Sequence, residues 1–525
     1  MTPWLTVLGV VPLAGALVVS LLPKGRDLLA KQVALATSLL VLVLTVAMTL
    51  DYSTAEGAPR FQFVQSYDWI KAFGVKYAVG VDGIALVLIG LIAVLVPVVL
   101  LASWDDVEAA AGEAVLEGGD APAAGRKSVR SFFALLLVLE TMMIGVFAAT
   151  DLFLFYVFFE AMLIPMYFLI GSYGGPRRSY AAVKFLLYSL LGGLLMLAAV
   201  ITLYVESTKQ GPGTFSFEAL TQLDLSHTTQ AWLFLGFFIA FAIKAPLFPF
   251  HTWLPDAGAE APTGSAVLLV GVLDKVGTFG FLRYCLPLFP WAAREFAPYV
   301  IALSVIGVLY GALLAMGQKD LKRLVSYTSV AHFGFIGMGC FAFTTQAGTG
   351  AVLYMVNHGL STGALFMVIG FLINRGRTRL MTDYSGVAKV APTLAALFFV
   401  SGLSSLALPG LSTFISEFLV LVGTFTRYTA AAVLATTGII LAALYILLAY
   451  QRTMQGALSS AHERMKDLQL REVVALAPLI ALMLFLGFYP KPLTDIINPA
   501  VAATMHDVGA HDPAPTQAGQ PVESK

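Results

Sequence analysis

The sequence predicts an all-α polytopic membrane protein with about fourteen transmembrane helices, and three observations lead to this fold class. The 525 residues are 58% hydrophobic and only 12% charged, whereas soluble domains carry about 25% charged residues. Many apolar runs are long enough to cross a hydrocarbon core of about 30 Å. Lysines and arginines concentrate in alternate loops, as the positive-inside rule requires.

Apolar runs of spanning length recur along most of the chain. They lie at 3–22, 29–50, 81–103, 131–149, 152–172, 183–205, 230–250, 263–284, 298–316, 324–344, 350–373, 391–426, 429–451 and 472–489. Of the 31 lysines and arginines, 19 lie in loops assigned to the inside and eight in loops assigned to the outside. This bias predicts fourteen spans with both termini outside.

Two of these runs are interrupted. Pro246 and Pro249 break the seventh, and Pro409-Gly410 breaks the twelfth, because proline removes a backbone donor and clashes with the preceding turn. Since the breaks are five spans apart, we expect two five-helix inverted repeats and two broken helices. The predicted divisions are three N-terminal spans (1–104), a cytoplasmic loop insertion (105–130), the first repeat (131–285), the second repeat (298–452), a cytoplasmic loop with the last span (453–490) and a polar tail (491–525).

Several function classes lack a motif. The two cysteines, Cys285 and Cys340, form no CxxC pair, so we expect no iron–sulfur, haem or zinc site in this chain. There is no dinucleotide-binding or phosphate-binding loop. The net charge of zero gives no indication of nucleic-acid binding. We therefore expect no redox cofactor and no metal here.

Ionisable residues inside the apolar runs are the candidate functional residues. A charged side chain at the centre of a membrane helix costs roughly 2.5–3.5 kcal/mol on insertion scales, so such residues must pair or line water. They often mark ion pathways. The set comprises Glu140, Glu160, Lys244, Asp274, Lys275, His332, His358 and Glu417.

Glu160 and Lys244 lie near mid-depth of the fifth and seventh spans. Paired, each would favour the charged form of the other, and separation would favour proton release from the lysine. We interpret the pair as a switchable proton site, with a static bridge between two helices as the alternative. For Glu140 two readings stay open, a second carboxylate partner or a contact with a neighbouring subunit.

Lys275 is a cation halfway across its span, which favours a proton-relay role. Asp274 is adjacent, but neighbouring residues on a helix point about 100° apart and need not pair. A packing hydrogen bond and a functional role are both open for Asp274. His332 and His358, on consecutive helices among hydroxyl groups, favour a proton relay over a metal site. Glu417 follows the second break.

Three segments together resemble the antiporter-like subunits of bacterial NADH-quinone oxidoreductase (respiratory complex I). They are FFEAMLIPMYFLIG, FAIKAPLFPFHTWLPDAGAEAPTGSAVLLVGVLDKVGTFGFLRY and QKDLKRLVSYTSVAHFGFI. The resemblance covers roughly residues 80–490. It implies fourteen helices, two inverted repeats, and proton pumping driven by quinone reduction in other subunits.

The resemblance also implies roles and partners. Glu160 and Lys244 match the charge pair, Lys275 the central lysine, His332 and His358 the relay, Glu417 the terminal acid and Glu140 a further buried carboxylate. Asp274 departs from the family pattern, and the 105–130 insertion is unusual. FMN, iron–sulfur clusters and quinone are expected in partner subunits. The implied partners are other membrane-arm subunits, including two sister antiporter-like subunits, in a bacterial plasma membrane.

We therefore expect a proton-translocating subunit with no redox chemistry of its own. A subunit of a multi-subunit cation/proton antiporter and a subunit of a membrane-bound hydrogenase are the alternatives within the same helical core. A scaffold whose charges only lock helices together is the alternative from another class.

Overall fold

The computed structural model describes residues 3–55, 57–107 and 128–513. Most of the predicted 105–130 insertion lies outside these ranges. The helices are α1 (Trp4–Leu21), α2 (Asp27–Leu50), α3 (Gly83–Ala102), α4 (Val129–Ala148), α5 (Leu152–Tyr173), α6 (Arg178–Gln210), α7 (His227–Lys244), α8 (Trp253–Glu260), α9 (Thr263–Leu288), α10 (Pro290–Met316), α11 (Leu321–Phe341), α12 (Thr345–Gly376), α13 (Pro392–Ser405), α14 (Ser412–Phe425), α15 (Thr429–Met454), α16 (Leu470–Phe488) and α17 (Lys491–Asp507). A four-residue helix, Phe217–Leu220, lies between α6 and α7.

The predicted class, an all-α polytopic membrane protein, is confirmed. In the described part of the chain, twelve helices are long and apolar enough to cross a membrane. The twelfth predicted run is a pair of shorter helices, α13 and α14. The seventh predicted run, 230–250, contains most of α7 and the break after it, and the short helix α8 begins beyond the end of that run. The count of fourteen and the inverted repeat stay predictions.

Both predicted breaks interrupt helices. Helix α7 ends at Lys244, and α8 begins nine residues later. Trp253 bridges this break, because its indole Nε1 donates to the Ile243 carbonyl at 2.8 Å. The second break carries Gly410 at φ +93°, a left-handed conformation that glycine adopts at low cost. The ends of four helices thus lie inside the bundle, where backbone polar groups need partners.

Carboxylate and hydroxyl side chains cap the N-termini of several helices. Asp82 accepts from Ala85 N at 2.9 Å, and Asp151 accepts from Phe153 N and Leu154 N at 2.9 and 3.0 Å. Such N-caps satisfy donors that a helix leaves free, typically with a gain of about 1 kcal/mol. These caps fix where α3 and α5 start.

Three helices form the centre of the bundle. The whole apolar stretch of α9 and 94% of those of α11 and α12 are buried, compared with 33% for α1 and 28% for α2. Helix α9 also contains two π-helical turns, Leu269–Leu273 and Phe281–Cys285. Since π-helical turns are rare and are frequent at functional sites, they single out α9 as a candidate location for the site.

Two elements lie outside the spans. An antiparallel hairpin pairs Gln62–Ile70 with Val75–Val81, with Tyr67 opposite Tyr77. Helix α17 falls in the segment that the sequence assigned to a polar tail, and its helical structure was not predicted. It packs against α12 and α3 through Ile497, Ala500, Val501, Thr504 and Met505, which recur at helical spacing on one face.

Candidate functional site

Lys275 lies at the centre of the buried core and has three polar partners. Its side chain is fully buried. The ammonium lies 3.1 Å from Asp274 Oδ1 and 2.6 Å from His358 Nδ1, and it donates to the Val270 carbonyl. The Phe333 ring centroid is 5.1 Å away. A buried charge is tolerated only when it is paired and hydrogen-bonded, and Lys275 meets both conditions.

Asp274 forms an ion pair with Lys275, its neighbour in sequence, and the packing and functional interpretations of Asp274 both stay open. Regular α-helical geometry would separate the two side chains by about 100°. Asp274, however, directly follows the π-helical turn Leu269–Leu273, where helical spacing departs from 3.6 residues per turn. Its second oxygen, Oδ2, has no hydrogen-bond partner among the described residues. The pair therefore places a carboxylate at the central lysine with one oxygen available.

The two predicted histidines lie next to each other. His358 on α12 and His332 on α11 are both buried, and their ring centroids are 5.3 Å apart. His358 contacts Lys275 through Nδ1, while its Nε2 has no hydrogen-bond partner within the described ranges. The central lysine thus hydrogen-bonds one histidine, whose ring packs against that of the second histidine.

His332 continues toward α14 through a tyrosine. Its Nδ1 lies 2.7 Å from the Tyr354 hydroxyl, which donates to Glu417 Oε2 at 2.8 Å. His332 Nε2 lies 3.4 Å from Ser405 Oγ at the end of α13. The structure therefore brings together four predicted residues, Lys275, His358, His332 and Glu417, and inserts Tyr354 among them.

Tyr354 is a site residue that the sequence analysis did not identify. A tyrosine in an apolar run is usually a packing residue, and nothing in its own type distinguishes it. One signal was present in its spacing. Tyr354 precedes His358 by four residues on the same helix, and residues four apart share a helical face.

Glu160 and Lys244 do not form the direct contact that the sequence predicted. Lys244 Nζ has no hydrogen-bond partner in the described part of the chain. It lies instead 4.8 and 5.9 Å from the ring centroids of Phe159 and Phe185, which offers cation–π stabilisation. The Glu160 carboxylate lies against Gly193 of α6. The two charges still interact electrostatically.

Glu140 stands apart from this chain of contacts. Its side chain is fully buried in α4, and neither carboxylate oxygen has a hydrogen-bond partner among the residues described. Helix α4 packs against α1, α2, α3 and α5. The structure does not choose between the two readings of Glu140.

Two carboxylates of the short helix α8 hold cations from several other elements. Asp256 pairs with Lys184 of α6 at 2.7 Å and with Arg323 of α11 at 2.6 Å. Glu260 pairs with Arg379 at 3.2 Å and with Arg177 at 3.8 Å. The sequence analysis did not single out these carboxylates. Together they tie the second half of the broken seventh helix to its surroundings.

A polar cavity of about 710 Å³ lies beside Glu260. Its lining includes Asp106, Arg178, Lys322 and Arg379. These residues belong to the side that the distribution of basic residues assigns to the cytoplasm. For metals, the described residues contain no group of three or more His, Cys, Asp or Glu side chains placed to hold an ion.

Comparison with known proteins gives a consistent family. A family model described as NADH:quinone oxidoreductase/Mrp antiporter, transmembrane, matches residues 149–443. NADH-quinone oxidoreductase subunit M of Mycobacterium tuberculosis (strain ATCC 25618 / H37Rv) is 51% identical, over 98% of this chain and 96% of the relative. Subunit M of Rhodobacter capsulatus is 39% identical over 95% of each chain.

Solved structures agree with these relatives. A chain of the respiratory complex I from Thermus thermophilus with bound NADH superposes with a TM-score of 0.84 at 32% identity, over 96% of this chain and 100% of that one. The Mrp complex from Dietzia sp. DQ12-45-1b contains a chain with a TM-score of 0.77 at 22% identity, over 97% of this chain and 53% of that one. The latter similarity shows the fold alone.

Proposed function

Because the chain belongs to the NADH:quinone oxidoreductase/Mrp antiporter family, among the subunit M relatives of NADH-quinone oxidoreductase, we propose that it translocates protons as a membrane-arm subunit of that enzyme. Quinone reduction in other subunits would drive it. The observation that carries the proposal is the buried arrangement in which Lys275 contacts His358, the ring of His358 packs against that of His332, and Tyr354 hydrogen-bonds both His332 and Glu417.

Protons would be taken up from the cytoplasm near Lys244 and Glu160. They would pass by water to Lys275, then by His358 and His332 to Glu417, and leave on the outside. Each of these residues can hold a proton, and the histidines can accept at one ring nitrogen and donate from the other. Moving one charge against 100 mV costs about 2.3 kcal/mol, so leakage along this path must be blocked.

Glu160 and Lys244 would form the gate. An ammonium 4.8 Å from an aromatic centroid and a carboxylate against a glycine describe an arrangement without direct pairing. Approach of the two groups would favour their charged forms, and separation would favour proton release from the lysine. Switching between these arrangements would couple Lys244 to Lys275. Glu140 is proposed as a further proton-holding carboxylate.

The complex around this chain follows from the same proposal. FMN, iron–sulfur clusters and quinone would be bound by partner subunits, and this chain would hold no redox site of its own. Its neighbours would be other membrane-arm subunits, including two sister antiporter-like subunits, in the lipid bilayer of a bacterial plasma membrane with both termini outside.

The test uses the intact complex in proteoliposomes, with proton uptake and NADH oxidation measured together. We expect Glu417→Gln to assemble normally, because the amide keeps the size of the side chain, and to lower protons translocated per NADH. A full proton yield in a well-assembled Glu417→Gln complex would contradict the proposal.

A second function, cation/proton antiport, is kept because the matching family model includes Mrp antiporters. Sodium-dependent proton transport by the purified assembly without NADH oxidation would decide for it. Proton transport that requires NADH and is indifferent to sodium would decide against it.

A further inference from the structure

Tyr354 occupies the position between the histidines and the terminal carboxylate. Its hydroxyl is 2.7 Å from His332 Nδ1 and 2.8 Å from Glu417 Oε2. The side chain is fully buried, and Glu417 is only 4% exposed. Helix α12 carries Tyr354, whereas His332 and Glu417 lie on α11 and α14. One hydroxyl therefore connects three helices through two hydrogen bonds of ordinary length.

The chemistry of the three groups determines the direction of these hydrogen bonds. An ionised carboxylate can only accept, so the phenolic proton must point at Glu417. The phenolic oxygen then accepts from His332, and Nδ1 of that histidine must carry a proton. With Glu417 protonated, both bonds reverse. The carboxylic acid donates to the phenol, and the phenol donates to Nδ1.

We propose that Tyr354 relays the proton from His332 to Glu417, an inference that rests on the proposed function. When His332 is doubly protonated, its Nδ1–H bond breaks as the proton moves to the phenolic oxygen. The phenolic O–H bond breaks as its proton moves to the carboxylate. His332 ends neutral with its remaining proton on Nε2, Tyr354 is regenerated as a phenol, and Glu417 becomes a carboxylic acid.

The distances make this transfer possible without movement of heavy atoms. Both steps occur along hydrogen bonds already formed, and the phenol is neutral before and after the transfer. Asn357 supports the geometry, because its Nδ2 donates to the Ser412 carbonyl at 2.8 Å. This contact holds the start of α14, and with it Glu417, against α12.

The experiment replaces Tyr354 in the intact complex and compares it with a second buried tyrosine. Tyr445 on α15 is also buried near Glu417, but no hydrogen bond joins the two among the described residues. Tyr354→Phe keeps the ring and removes the relaying hydroxyl. We expect it to lower the NADH-driven pumping rate about tenfold or more, as for loss of a proton-transfer group. Tyr445→Phe should match the wild type.

A second measurement separates relay from packing. Difluorotyrosine at position 354 keeps the size of the ring and makes the hydroxyl more acidic. We expect the pH profile of pumping to shift toward lower pH, with no shift for the same substitution at position 445. A profile unchanged at position 354 would overturn the relay.

The outcome for Glu417→Gln distinguishes the two proposals. Normal pumping in Tyr354→Phe with impaired pumping in Glu417→Gln would reject the relay and leave the proposed function standing. Normal pumping in both would reject the proposed function as well. Equal losses in Tyr354→Phe and Tyr445→Phe would assign Tyr354 to packing and reject the relay.

Discussion

Lys275 Nζ and His358 Nδ1 lie 2.6 Å apart in the most buried part of the protein. A protonated lysine can only donate, so His358 Nδ1 accepts and its proton lies on Nε2. That Nε2 has no hydrogen-bond partner among the described residues. The protonated central lysine thus determines which ring nitrogen of His358 carries the proton and is available for a further hydrogen bond.

Replacing Lys275 with methionine should strongly reduce pumping while leaving the fold intact. Methionine has a similar length and fills the same space without a charge. We expect protons translocated per NADH to fall by about tenfold or more, because a group that holds the transferred proton is lost. Proton uptake by proteoliposomes measures the effect.

Lys71→Met, at an exposed position, provides the matched control and should pump normally. Near-normal pumping by Lys275→Met would support the scaffold alternative, in which the buried charges only lock helices.

Asp274→Asn should weaken both stability and pumping. Removing one partner of a buried ion pair costs about 3–5 kcal/mol, because the remaining charge loses its compensation. We expect a lower thermal unfolding temperature of the purified complex and a lower coupled rate. The exposed Asp68→Asn serves as the isosteric control. If Asp274→Asn were as stable and active as the control, the ion pair would contribute neither to stability nor to pumping.

Much of the architecture was predictable because it follows from the apolar runs and from the prolines and glycines that interrupt them. Two prolines located the first broken helix and a Pro-Gly pair the second. The positions of Lys275, His332 and His358 in apolar runs, and that of Glu417, marked these residues as costly to bury. Such signals depend on residue type and on position within a run. They can therefore be recognised without knowledge of tertiary contacts.

What the sequence could not give depends on local geometry and on distant contacts. The Asp274–Lys275 pair forms beside a π-helical turn, and the residue types in the sequence do not predict such a turn. Lys244 faces aromatic rings instead of Glu160, since side-chain direction is set by packing. Helix α17 mixes polar and apolar residues and is helical because one face packs on α12 and α3.

Asp256→Asn should lower the thermal stability of the complex more than loss of an exposed pair would. Asp256 holds Lys184 and Arg323 in a partly buried site and thereby joins α8 to α6 and α11. The exposed pair of Lys491 and Asp495 offers the control Asp495→Asn, because exposed helical pairs contribute only about 0.3–0.5 kcal/mol. Differential scanning calorimetry of the complexes that carry the two variants measures their unfolding temperatures. Equal unfolding temperatures would show that the α8 contacts add no more than a surface pair.

Gly193→Ala should disturb the proposed gate, although neither of the charged gate residues is replaced. A Cβ at position 193 would come within 1.6 Å of Glu160 Oε1, so the carboxylate must move away from α6. Gly90→Ala is the matched control, because a Cβ there meets nothing within 4 Å. We expect normal assembly of both variants and a several-fold lower coupled rate for Gly193→Ala alone, roughly the effect of 1 kcal/mol on a rate. If both variants pumped at the same rate, the position of Glu160 would not limit proton transfer, and a gate at Glu160 and Lys244 would be rejected.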